Sequence, residues 1–139
     1  MSLQQTPVAA EPKSIELHID ADARLAAAAG GAARYFGGAA GLENSAIAKL
    51  QAATVSACVR AFEHLTPENP RLDVTLTRLA DRIEVALSHE GEGQLPFGRD
   101  SAAGFPARIE GIDRVQHETR GTAAVTLLTK YVAQRKAPR

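Results

Sequence analysis

The sequence predicts an α+β fold, a two-layer α/β sandwich with two long helices and one short helix on one face of a sheet of about five strands. Two segments carry apolar residues at helical spacing, and a pair of segments in which apolar and polar residues alternate follows them. A second such pair closes the chain. Because each pair is typical of an antiparallel hairpin, the sheet is expected to be mixed and mostly antiparallel.

Length and composition indicate one domain with a buried core. The chain has 139 residues and a mass of 14.7 kDa, and 45% of its residues are hydrophobic. Residues 1–14 are expected to form an N-terminal tail, residues 15–132 the folded domain, and residues 133–139 a C-terminal tail.

The first elements are a strand and an alanine-rich helix. Ile15–Ile19 alternates apolar and polar residues, as a half-buried strand does. Asp20 or Asp22 can cap the helix expected over residues 22–36. The two glycines at 37–38 are expected to end this helix, since glycine weakens helices.

A second helix and a hairpin follow. The helix is expected over residues 44–65, because Pro67 prevents it from continuing. Residues 72–79 and 82–89 then alternate on one face around a short turn, which predicts a hairpin.

The last third of the chain is expected to hold a long loop and a second hairpin. Glu90–Pro106 is rich in glycine and proline and has no apolar period, so it predicts a lid or binding loop that is more mobile than the rest. A short helix is expected over Ala102–Glu110. Residues 111–132 alternate around Arg120 and Gly121, which predicts the closing hairpin.

Charge and cysteine content exclude several classes of protein. Lys+Arg and Asp+Glu both total 16, so the chain has no positive excess with which to bind nucleic acid. The single cysteine, Cys58, is expected to be a buried apolar residue. The four histidines lack metal-ligand spacing. No apolar run is long enough for a membrane span and no signal peptide is recognisable, so a cytoplasmic location is expected.

Three motifs occur in an informative order. Small residues and a histidine recur on the second helix at Ala53, Ala57, Ala61 and His64. His89-Glu90-Gly91-Glu92-Gly93 follows the central hairpin, and Asp113 precedes the run Gly121–Lys130. This order resembles the anti-sigma-factor serine kinases, members of the ATPase superfamily of gyrase and the histidine kinases, over residues 15–132.

The resemblance implies an ATP-binding kinase, but the residues that would perform the chemistry have other types. The family's helix glutamate takes a proton during phosphoryl transfer, and Ser56 stands in its place. The family's asparagine offers an oxygen to Mg²⁺, and Arg60 stands in its place without a lone pair to donate. No catalytic residue is therefore expected.

The nucleotide-binding positions are also altered. His89 replaces the aspartate that receives the adenine amino group, although Gly91 and Gly93 keep the backbone freedom of that motif. The family's phosphate-binding glycine loop is replaced by Gly104-Phe105-Pro106-Ala107, in which Pro106 lacks an amide donor. The positions that the resemblance assigns to a vestigial nucleotide site are Arg60, His64, His89, Gly91, Gly93 and Thr126. The residues alone also allow His64 to be a helix-end histidine near the last carbonyl groups.

The sequence therefore predicts a degenerate member of this family, a regulator that acts by protein–protein binding. No cofactor is expected, ATP binding is expected to be weak at most, and Mg²⁺ binding is not expected. The resemblance implies a sigma factor or an anti-sigma-factor antagonist as partner. It also implies a homodimer, because relatives in that family dimerise. Neither a nucleic acid nor a membrane is expected as a partner. Two alternatives stay open: an active serine/threonine kinase in which Arg60 and Arg108 bind the phosphates, and a sensor of another small ligand above His89.

Overall fold

The computed structural model describes residues 13–90 and 108–132. Seven elements lie in these ranges, and the helices and strands follow one another in the order that the sequence predicts for them. In chain order they are β1 (Lys13–Ile19), α1 (Ala23–Ala39), α2 (Asn44–Phe62), β2 (Leu72–Arg78), β3 (Arg82–Glu90), β4 (Arg114–Arg120) and β5 (Ala123–Tyr131).

The strands form a single sheet in the order β1-β2-β3-β5-β4. All four pairings in the described ranges are antiparallel, so the expectation of a mixed sheet is wrong there. Both expected hairpins are confirmed. The second one turns at Gly121, whose φ of 61° lies in the left-handed region that favours glycine.

Helix α1 begins as the sequence predicts but is longer than expected. Asp22 is the N-cap, and its side chain accepts a hydrogen bond from the backbone N–H of Arg24 at 2.8 Å. The helix continues through Gly37 and Gly38 to Ala39. Gly37 is buried, and a Cβ there would lie 3.4 Å from side-chain atoms of Leu42, Ile47 and Leu50. Tertiary packing against α2 thus outweighs the low helix propensity of glycine.

Helix α2 packs on α1 and on the sheet. It ends at Phe62, three residues before the expected end, and Leu65 lies in the following turn. At the contact between the helices, a Cβ on Gly30 would come within 2.4 Å of Val55 Cγ2, so glycine is what allows this close approach.

The core lies between the helices and one face of the sheet. Alternate residues of β2 and β3 are fully buried there, and Leu128 of β5 completes the layer. Cys58 is buried, as expected, and burial raises the pKa of its thiol to about 12. The fold is an α+β two-layer sandwich.

Some predictions lie outside the described ranges. They concern the tail before Lys13, the loop after Glu90, and most of the short helix expected over Ala102–Glu110. The described end of that segment, residues 108–110, is not helical. In the part of the chain that the structure describes, no helix has the length and apolarity needed to cross a membrane.

Candidate functional site

One side of α2 carries Ser56, Arg60 and His64, which were named from the sequence, and also Lys49, which was not. Lys49, Ser56, Arg60 and His64 recur at seven- and four-residue spacing and are all exposed. Residues so spaced follow one side of a helix. Val55 faces α1 instead. We call Lys49, Ser56, Arg60 and His64 the α2 strip.

The first end of the α2 strip contacts the chain that leads into β4. Lys49 Nζ lies 3.4 Å from Glu110 Oε2. Gly111 has a φ of 85°, and a Cβ on it would lie 2.5 Å from Lys49 Cβ. Only glycine combines that backbone conformation with so close an approach, so this segment is fixed against α2.

The other end of the α2 strip contacts the end of β3. The ring of His64, in the turn after α2, stacks on the ring of His89 with centroids 6.4 Å apart and an interplanar angle of 14°. The α2 strip therefore contacts the chain that leads into β4 at one end and the end of β3 at the other. From the sequence, His64 was expected to lie near the last carbonyl groups of the helix, and its contact with the ring of His89 was not predicted.

The register of the sheet places further residues on the same face. Leu87 is buried against the helices, and its cross-strand partner in β5 is Thr126. Thr126 in turn pairs with His117 of β4, whose Nδ1 lies 3.2 Å from Thr126 Oγ1. Directly paired residues of an antiparallel sheet share a face. Thr126 and His117 therefore lie on the helix-facing side, one row from His89 and its partner Ala124.

Burial lowers the basicity of two of these histidines. Loss of water contact lowers the pKa of His89, and the nearby His64 lowers it further. The carbonyl oxygen of Glu90, 3.1 Å from His89 Nδ1, and the charge of Glu90 act in the opposite direction but more weakly than burial. Partial burial also lowers the pKa of His117. Both shifts favour the neutral form of the imidazole near pH 7.

The neighbouring carboxylates lie on the opposite face of the sheet. Glu90 alternates with His89, and its carboxylate accepts a hydrogen bond from Thr122 Oγ1 at 3.2 Å. Glu118 alternates with His117 and accepts a hydrogen bond from Arg120 Nε at 2.9 Å. In the two rows that hold His89 and His117, the helix-facing side thus carries no carboxylate.

Asp113, part of the motif that suggested a nucleotide site, has a structural role here. Its carboxylate accepts a hydrogen bond from the backbone N–H of Tyr131 at 2.7 Å and lies 3.6 Å from Lys130 Nζ. Its own N–H donates to the carbonyl oxygen of Thr129 at 2.9 Å. These contacts attach the start of β4 to the end of β5.

The structure brings together most of the residues named from the sequence. Ser56, Arg60 and His64 lie on one side of α2, and His89 and Thr126 lie on the facing side of the sheet. Gly91 and Gly93 lie outside the described ranges. The sequence analysis missed His117, and the signal that could have found it is its register opposite Thr126 in the predicted hairpin.

Comparison with known proteins leaves the family open. A scan against protein-family models finds no match, and a search of curated proteins finds no relative. Within residues 13–90 and 108–132, no three side chains of His, Cys, Asp or Glu are grouped so as to hold a metal ion.

Proposed function

We propose that the protein is a regulator of the anti-sigma-factor serine-kinase type that acts by binding a protein partner. Its nucleotide cleft would lie between the α2 strip and the β5–β4 hairpin. The observation that carries the proposal is the placement of Ser56 and Arg60 one turn apart on the exposed side of α2.

The chemistry of these two residues argues against catalysis. General-base activation of a hydroxyl needs a group that accepts a proton near neutral pH, and the hydroxyl of Ser56 does not. Arg60 presents a cation where Mg²⁺ would need an oxygen ligand. Phosphoryl transfer depends on positioning and charge neutralisation together, so replacement of both groups removes its main requirements.

The scaffold around the cleft supports a binding role. The helices and strands keep a complete core, and both ends of the α2 strip are attached to the rest of the fold through Glu110 and His89. A rigid surface with no catalytic pair suits recognition of another protein. The partner that the resemblance suggests is a sigma factor or a small anti-sigma-factor antagonist.

A two-part experiment tests the proposal. ATP is titrated with and without Mg²⁺ by thermal shift, and phosphate release is measured in parallel. We expect Mg²⁺ to give no improvement in ATP binding and no phosphate to be released. Purified sigma factors and antagonists from the same organism are then titrated calorimetrically, and we expect one to bind with a dissociation constant of about 1 µM or lower.

Two outcomes would contradict the proposal. Mg²⁺-dependent phosphorylation of a partner would favour the alternative of an active serine kinase. Absence of binding to every sigma factor and antagonist would remove the protein-binding role. A double variant, Ser56→Ala with Arg60→Ala, tests which surface is used, because partner binding through the α2 strip should weaken in it.

A further inference from the structure

The strand β4 forms one edge of the sheet, and no described strand pairs with its outer side. It lies beside β5 alone and spans seven residues, Arg114–Arg120. Its register with β5 runs without a gap, and the strand contains neither proline nor lysine, two residues that commonly protect an edge. A regular edge of this kind can accept a further strand through its backbone.

The geometry of the β4–β5 hairpin identifies which backbone groups of β4 point outwards. A tight turn joins the two strands, so the pair that flanks it, Arg120 and Ala123, exchanges both of its backbone hydrogen bonds. Such pairs alternate with pairs that exchange none, so the even-numbered residues of β4 bond to β5. The N–H and C=O groups of odd-numbered residues, among them Val115 and Thr119, therefore point away from β5.

We propose that this outer side of β4 binds an extended segment of a partner protein, which joins the sheet beside β4 and carries acidic residues opposite Arg114 and Arg120. We call the outer side of Arg114–Arg120 the β4 edge. The α2 strip is not part of the β4 edge. The inference therefore goes beyond the protein-binding role proposed above, and either one can fail without the other.

The charges of the β4 edge select an acidic segment. Arg114, Gln116, Glu118 and Arg120 alternate along the face of β4 that points away from the helices. Arg114 is exposed, and no carboxylate of the described residues pairs with it. Arg120 donates a hydrogen bond to Glu118 at 2.9 Å, which leaves the guanidinium of Arg114 as the excess charge on this face. Side chains directly opposite each other on neighbouring strands interact, so carboxylates opposite the arginines are favourable there and ammonium groups are unfavourable.

The other face of β4 selects an aliphatic residue. Val115 lies on the helix-facing side, where it packs against the core and is half-buried. An aliphatic side chain directly opposite Val115 would remove more of that apolar surface from water. Thr119 is exposed on the same face, beside which a β-branched residue fits well. The segment that fits the β4 edge thus alternates aliphatic and polar residues between two acidic ends.

Neither a second β4 strand nor the free edge of β1 has the same match of charges. Antiparallel pairing of two β4 strands over their full length would place Arg114 of each copy opposite Arg120 of the other, and like charges in that position are unfavourable. On β1, Glu16 lies at the middle of the face that points away from the helices. A carboxylate at that point repels an acidic segment.

Fluorescence anisotropy with a labelled peptide tests the inference on the full chain. The probe is Glu-Val-Thr-Val-Thr-Val-Glu, whose order is the same in both directions, so it places glutamates opposite both arginines as a parallel or an antiparallel strand. The comparison probe has lysine in place of each glutamate. We expect the glutamate probe to bind about tenfold more tightly, because attractive pairs replace repulsive ones. Arg114→Glu should weaken binding of the glutamate probe and strengthen binding of the lysine probe.

Proline substitution tests the backbone contact. Thr119→Pro removes an outward N–H and no hydrogen bond to β5, and proline is tolerated at such an edge position. We expect it to weaken binding of the glutamate probe about fivefold and to keep the circular dichroism of the unmodified protein. The matched control is Ser14→Pro on β1. The Leu79 N–H donates to the carbonyl oxygen of Arg82 at 2.8 Å, and the same alternation counted from that turn gives Ser14 an outward N–H. This control should bind the probe as the unmodified protein does.

Amide hydrogen exchange measured by NMR decides the question even if Thr119→Pro fails to fold. In the free protein, the amides of Val115 and Thr119 should exchange faster than those of Gln116 and Glu118. The glutamate probe should slow exchange at Val115 and Thr119. Four results would each overturn the proposal: no binding of the glutamate probe at about 1 mM, equal affinity of the two probes, protection by the probe at Glu16 instead, or protection of Val115 and Thr119 without a peptide through self-association.

Discussion

The backbone N–H of Tyr131 donates a hydrogen bond to the carboxylate of Asp113 at 2.7 Å, across the paired ends of β5 and β4. Asp113 also donates its own N–H to the carbonyl oxygen of Thr129. This residue, directly before β4, therefore makes two hydrogen bonds to β5. The segment that begins β4 is in turn fixed on α2 through Gly111. Asp113 thus connects the segment that packs on α2 to β5.

Replacement of Asp113 should therefore lower stability. We expect Asp113→Ala to reduce the free energy of unfolding by about 1 kcal/mol, because a charge-assisted hydrogen bond and the ion pair with Lys130 are lost at a partly exposed site. Urea denaturation followed by circular dichroism measures the change. Glu16→Ala, on the exposed face of β1, is the control and should stay within about 0.5 kcal/mol. Equal effects of the two variants would show that the contacts of Asp113 with Tyr131 and Lys130 do not stabilise the fold.

Replacement of Gly30 and of Gly31 in α1 by alanine should change stability in opposite directions. Gly30→Ala should destabilise by about 1–3 kcal/mol, because the new Cβ meets Val55 Cγ2 at 2.4 Å. Gly31→Ala should stabilise by about 0.5–1 kcal/mol, since nothing lies within 4 Å and alanine favours the helix. Thermal midpoints of both variants provide the test. A stabilised Gly30→Ala protein would mean that the helices are farther apart than described.

Restoring single family residues on the α2 strip should not restore catalysis. We expect Ser56→Glu and Arg60→Asn each to remain inactive, because proton transfer and metal coordination are both required. Arg60→Asn should gain weak binding of Mg²⁺-ATP, since it removes a cation from the metal's position. Phosphate release, ATP binding and thermal midpoint are measured for both. Activity in either single variant would contradict the proposed loss of function, and a collapse of the Arg60→Asn midpoint would identify Arg60 as a structural residue.

Stability should fall in mild acid, partly because of His89. Burial holds the pKa of His89 below its ordinary value, so the unfolded chain binds a proton near pH 6.5 that the folded protein does not. The stability contribution is complete above the unfolded pKa and is lost as the pH falls below it. His89→Gln should flatten the dependence of unfolding free energy on pH between pH 7.5 and pH 5. An unchanged slope in His89→Gln would exclude this origin.

The sequence was sufficient for the elements but not for all of their contacts. Alternation predicted both hairpins, and Asp22 was one of two caps named for α1. Nothing local encodes that Gly37 is buried against Leu50, so the end of α1 was predicted too early. The expectation that the sheet is mixed was wrong for a similar reason. The pairing of β3 with β5 joins segments far apart in the chain, and hydrophobic pattern does not specify such partners.

The candidate site shows the same division. Ser56, Arg60 and His64 could be placed on one side of a helix from spacing alone, because four residues nearly complete a turn. The stacking of His64 on His89 joins two elements and required the tertiary structure. The lowered pKa of His117 depends on burial, which its position in an outer strand of polar residues did not indicate.

The strand order has a consequence for how the chain folds. The β2–β3 and β4–β5 hairpins join neighbours in sequence, and such hairpins form in about 1–10 µs. β1 must instead pair with β2 across both helices, which closes the longest loop between neighbouring strands and costs the most chain entropy. We therefore expect β1 to join late, so that Ile15→Val mainly accelerates unfolding while Val85→Ala also slows refolding in stopped-flow experiments. The N-terminal strand is then the part of the sheet that assembles last and separates first.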